Sequence, residues 1–63
     1  MKNKVKERRE ELKLSQIELA EQSGVARTII SQLENGTRKT ITSDTMLKLA
    51  EGLKTSIGEI FLP

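Results

Sequence analysis

Two stop signals, Ser23-Gly24 and Asn35-Gly36, punctuate the middle of this 63-residue chain. Each ends a helical stretch on a glycine that can adopt positive φ without the penalty a Cβ would bring. The helices between such stops are only a few turns long, and helices that short hold in water only when packed against one another. A chain of this length is expected to form one domain, residues 1–63, and to bury only about 60% of the surface its unfolded form exposes. It contains no cysteine and no histidine, so neither a disulfide framework nor a Cys/His zinc site is available to staple it. The constraint leaves an all-α, compact bundle.

Five helices are expected. The first runs from about Asn3 to Leu12, with Val5 and Leu12 on one face. The second opens after Ser15, where Ser15 and Glu18 stand at capping-box spacing, and closes at Gly24. The third spans about Arg27 to Glu34. A polar loop from Thr37 to Thr42 follows, and Thr42 or Ser43 caps the fourth helix. Asp44 sits in its first turn, where the helix dipole favours an anion, and Met46, Leu49, Ala50 and Leu53 form its apolar stripe. Ser56 and Glu59 form a second capping-box pattern, opening a last helix with Ile57, Ile60 and Phe61 in phase. No sustained period-2 alternation argues for a strand.

The net charge of +2 says less than its distribution. Residues 1–13 hold six Lys/Arg against three Glu, and residues 27–39 hold three against one. Two basic islands so placed can form one face that meets a phosphate backbone, although a solvated mixed-charge surface fits as well. Phe61 is the only aromatic residue, against a module that stacks single-stranded bases. No apolar run approaches a membrane span, and the charged start has no apolar stretch behind it, so a cytoplasmic location is expected.

The third helix carries the most specific signal. At about 100° per residue, Ile30 and Leu33 share one side, with Ile29 at its edge, while Arg27, Thr28, Ser31, Gln32 and Asn35 spread over the opposite arc. Ordinary solvated faces are rich in Glu and Lys. A face of one cation and four neutral groups with donors and acceptors suits base edges in a DNA groove: Arg pairs with guanine, Gln or Asn with adenine, and a Thr methyl meets that of thymine. The competing reading is a plain polar helix surface. Ile29 is either core edge or an apolar contact to thymine.

Ala20, Gly24, Ile30 and Leu33 then supply, in order, the small residue, the turn glycine and the apolar locks that two closely crossed helices need. The run Leu14-Ser15-Gln16-Ile17-Glu18-Leu19-Ala20-Glu21-Gln22-Ser23-Gly24-Val25, followed by Ile30-Ser31-Gln32-Leu33-Glu34-Asn35-Gly36, resembles the Cro/C1-type (XRE) helix-turn-helix family. Leu49-Ala50-Glu51-Gly52-Leu53, Ser56-Ile57 and Ile60-Phe61 resemble its last two helices. The resemblance covers essentially the entire chain. It implies a five-helix, lambda-repressor-like DNA-binding fold.

The resemblance also implies roles. Arg27, Thr28, Ser31 and Gln32 fall where family members read bases, and Gln16, with Ser15 beside it, falls where they touch a phosphate and brace the reading helix. Asn35 and the loop Thr37-Arg38-Lys39-Thr40 fall where they grip the backbone. Glu34 is similar to the family glutamate that pairs with an arginine of the first helix, here Arg9, which alternatively or additionally contacts phosphate. Two departures stand out: Ala26 occupies a common Ser/Thr cap position, and Lys54 a position where Gly or Asn often closes the fourth helix.

The expected activity is sequence-specific binding of double-stranded DNA by a transcriptional regulator, with repression its simplest action and activation left open, and without catalysis, metal, cofactor or small-molecule ligand. One helix reads few base pairs, so a homodimer on a palindromic operator is expected, with Leu47, Phe61, Leu62 and Pro63 as its interface. An antitoxin or a restriction–modification controller of the same fold is the alternative, with a toxin or RNA polymerase as further partner. A protein-interaction module that does not bind DNA is a third.

Overall fold

The computed structural model describes residues 2–61. The described residues form α1 (Val5–Glu11), α2 (Gln16–Ser23), α3 (Arg27–Glu34), α4 (Ser43–Gly52) and α5 (Ile57–Phe61). The bundle measures 24 × 21 × 19 Å, and α2 packs against both α3 and α4.

The local signals act through identifiable hydrogen bonds. Ser15 Oγ accepts from the Glu18 amide at 3.0 Å, and the Ser15 amide donates back to Glu18 Oε1 at 2.8 Å, completing the box that starts α2. The bond from the Ser15 amide foremost, and the nearby Ser15 hydroxyl next, hold the Glu18 carboxyl below its ordinary pKa. Gly24 (φ 76°) and Gly36 (φ 80°) take left-handed conformations that release the chain after α2 and after α3. Thr42, not Ser43, caps α4, accepting from the Thr45 amide at 3.2 Å.

At the second capping-box pattern only half of the box forms. Ser56 Oγ accepts from the Glu59 amide at 3.4 Å, but the Glu59 carboxylate takes the Thr55 hydroxyl at 3.1 Å instead of reaching back to the Ser56 amide.

The core is Val5, Leu19, Val25, Ile30, Leu33, Leu49, Ala50, Leu53, Ile60 and Phe61, with Leu12, Ala20, Ile29, Ile41, Met46 and Ile57 packed around it. Phe61, expected at a dimer surface, is 8% exposed and therefore belongs inside; its ring is too large an apolar area to leave in water when the core can take it. Leu62 and Pro63 lie outside the described residues.

Polar side chains near the chain start stitch the helices together. Asn3 starts α1 by accepting from the Val5 amide at 3.0 Å and donates to the Leu33 carbonyl at the end of α3, also at 3.0 Å. Arg8 donates from Nε to the Leu53 carbonyl at 2.9 Å and from Nη2 to the Lys54 carbonyl at 3.2 Å, satisfying acceptors left open where α4 ends. Lys54 itself closes that turn at φ 56°, and Lys13 closes α1 at φ 57°, left-handed conformations that cost a non-glycine residue free energy.

Gly52 marks the close approach of α4 to α2. A Cβ built there would stand 2.8 Å from the Ser23 Cβ and 3.2 Å from its Cα. Ser23 cannot easily yield, because its hydroxyl bonds the Leu19 carbonyl at 2.7 Å and accepts from the Val25 amide at 3.2 Å. Overpacking costs about 1–3 kcal/mol and the gain in helix propensity returns about 1. Gly52→Ala is therefore expected to lose about 1 kcal/mol in urea unfolding, whereas an exposed glycine such as Gly58, with open space around it, should gain from the same change.

Candidate nucleic-acid interface

The apolar side of α3, Ile30 and Leu33, is buried, and Ile29 is half-buried against the core. This anchoring fixes which residues face outward. Arg27, Thr28 and Asn35 are exposed, Ser31 and Gln32 half-buried. Gln16, at the first turn of α2, joins Arg27, Thr28, Ser31 and Gln32 around one open concavity of about 280 Å³. Neutral donors and acceptors line it, together with a single cation.

A continuous hydrogen-bonded relay runs behind this face. Arg9 grips Glu34 with two bonds, Nε to Oε2 at 2.7 Å and Nη2 to Oε1 at 2.9 Å, and spends Nη1 on the Leu14 carbonyl at 2.7 Å. Glu34 Oε1 also accepts from Gln16 Nε2 at 3.1 Å, and Gln16 Oε1 faces Arg27 Nε at 3.5 Å. The Arg9 and Glu34 side chains keep only 13% and 6% of their surface exposed. Burial opposes the charge of Glu34, but the bonds from Arg9 and Gln16 and the charges of Arg9 and Lys6 outweigh it and hold the carboxyl below its ordinary pKa. The bond to Glu34 raises Arg9 further, against its own burial. The relay ties α1, α2 and α3 into one unit and leaves each nitrogen of the Arg9 guanidinium bonded within the protein.

The loop after α3 folds back on the end of that helix. The amides of Thr37 and Arg38 both donate to the Gln32 carbonyl, at 3.0 and 3.2 Å. Asn35 Oδ1 accepts from the Thr37 amide at 3.0 Å and its hydroxyl at 2.6 Å, so Asn35 shapes the turn it stands in. Arg38 donates to Gln32 Oε1 and to the Thr40 carbonyl, both at 3.0 Å, while Lys39 and Thr40 are exposed. Ser15 sits exposed beside Gln16. At the start of α3, Ala26 offers no side-chain cap, and its carbonyl accepts from the Ile29 and Ile30 amides at 3.0 and 3.2 Å.

The structure thus brings Gln16, Arg27, Thr28, Ser31 and Gln32 together, with Asn35 and the loop 37–40 at their margin. Leu47 lies elsewhere, on α4, 48% exposed. The Arg38–Gln32 link was not legible in the sequence, since it depends on how the loop turns back.

Two helices joined by a glycine turn, the second anchored on one side and polar on the other, define a helix-turn-helix protein. The helix-turn-helix family model matches residues 5–60, and the chain belongs to the Cro/C1-type (XRE) helix-turn-helix family of sequence-specific DNA-binding regulators, a family not typically enzymatic. No curated protein and no solved structure matches the chain. Among the described residues, no helix is long and apolar enough to cross a membrane.

Proposed function

We propose that the protein is a transcriptional repressor that lays α3 in the major groove of an operator. The observation that carries this reading is the composition of the outward face: Arg27, Thr28, Ser31 and Gln32 around one concavity, with Gln16 at its edge. Arg27, Thr28, Ser31 and Gln32 contact base edges. Ser15, Gln16, Asn35 and the loop Thr37 to Thr40 hold the sugar-phosphate backbone, where positive charge releases counterions. Arg9 acts from behind, through Glu34 and Gln16, because each of its guanidinium nitrogens is already bonded within the protein.

A mobility-shift titration tests the reading. Duplex DNA should bind well above the same sequence as a single strand, and log K should fall linearly with log salt. Binding that stays flat to high micromolar protein at low salt overturns it.

The operator is palindromic and the protein binds it as a homodimer. Leu47 supports this, as a large apolar side chain left 48% exposed on α4. Leu47→Glu should leave unfolding within about 0.5 kcal/mol of wild type, as surface changes do. In sedimentation at micromolar concentration it should move the chain from dimer to monomer. A wild-type chain that sediments as monomer with and without operator contradicts the dimer.

A further inference from the structure

The contact between the loop and α3 has a consequence for which base is read. Gln32 Oε1 accepts from Arg38 Nη1 at 3.0 Å, and Arg38 Nε is in turn fixed on the Thr40 carbonyl at 3.0 Å. Arginine carries donors only, so the amide of Gln32 must turn its oxygen to the loop and its nitrogen away. Among the described residues neither Gln32 Nε2 nor Arg38 Nη2 has a protein acceptor. A free glutamine reads adenine with both ends of its amide, accepting from N6 and donating to N7. With one lone pair of its oxygen taken and its amide oriented by the guanidinium alongside, Gln32 turns its two N–H donors outward.

We infer that Arg38 is a positioning residue that converts Gln32 from an adenine reader into a donor unit selecting the acceptor pair O6 and N7 of guanine. The inference rests on α3 reading the major groove. It assigns the loop arginine a part in specificity that neither its sequence position nor a phosphate contact would give it.

Selection of bound duplexes from a random pool, with wild type, Arg38→Met and Arg38→Lys, tests it. Methionine keeps much of the aliphatic stem but has no donor, and lysine keeps a donor. Wild type should enrich guanine at the position that loses its preference in Gln32→Ala. Arg38→Met should shift that position to adenine, changing the guanine-to-adenine affinity ratio about tenfold, within what a bidentate pair discriminates. Arg38→Lys should retain guanine. In the free proteins, amide spectra should show an unchanged fold for Arg38→Met, with the Gln32 side-chain signals displaced.

Enrichment of one site by wild type and Arg38→Met alike, with only a uniform loss of affinity, overturns the inference and leaves the reading of α3 standing. Adenine at the Gln32-dependent position in the wild-type site does the same. A wild-type chain that enriches no duplex overturns both.

Discussion

Arg9→Ala should be among the most damaging single changes this protein can suffer, costing about 3–5 kcal/mol of folding free energy in urea unfolding at neutral pH. Removing the guanidinium leaves the Glu34 carboxylate, 6% exposed, without its ion-pair partner, and leaves the Leu14 carbonyl without its donor. The loss is large against the whole. A chain of 63 residues has roughly 3–9 kcal/mol in total at ordinary per-residue stability, so the variant should be at best marginally folded. Arg9→Met with Glu34→Gln should recover part of the loss, because the stranded charge is then gone and the Gln16 contact retains an acceptor.

The pH dependence follows from the same pair. Glu34 titrates in the native state below its ordinary value of 4.5. A carboxyl whose native pKa is depressed binds fewer protons folded than unfolded across that interval, so its stabilisation is fully present above 4.5 and disappears as pH falls through the native pKa. Acid unfolding of wild type should show that decline, and Arg9→Met should lose the Glu34 part of it and keep only what Glu18 contributes. The same decline in both proteins would show that the pair does not set the acid limit.

The second large effect concerns DNA, and it separates two kinds of contact. Arg27→Ala and Gln32→Ala should each cost about 1–3 kcal/mol on the preferred site and little on unrelated duplexes, so preference relaxes at particular base pairs. Lys39→Ala should weaken every duplex alike and reduce the slope of log K against log salt by about one. Lys39 is exposed on the loop, whereas Arg27 and Gln32 line the concavity on α3. If the two kinds of variant lose affinity in the same way, α3 does not read bases.

The fold was legible wherever a signal is local. Ser15 and Glu18 sit within one turn, glycines 24 and 36 each need only their own φ, and the stripe of Leu49, Ala50 and Leu53 follows from helical period. What escaped depends on distant partners. Arg8 counted only as surface charge in the sequence, yet it closes the end of α4; the Arg9 pair with Glu34 was expected only through the family resemblance. Gly52 looked like an ordinary helical residue until Ser23 was found against it. Phe61, in phase with Ile57 and Ile60, is core, and only its assignment to the dimer surface ran against that local signal. In the candidate site, the helical period alone placed Arg27, Thr28, Ser31 and Gln32 on one face. The engagement of the Gln32 oxygen by Arg38, six residues on, needed the loop's path.

Every function proposed for this protein depends on α3 reading duplex sequence. The most direct measurement is selection from a random duplex pool followed by affinities for the enriched site, using wild type and Gln32→Ala. Wild type should enrich two half-sites related by a dyad and spaced by about one helical turn, and Gln32→Ala should lose preference at the same base pair in each half. A pool left unenriched, or a Gln32→Ala variant that selects the wild-type site unchanged, would contradict it.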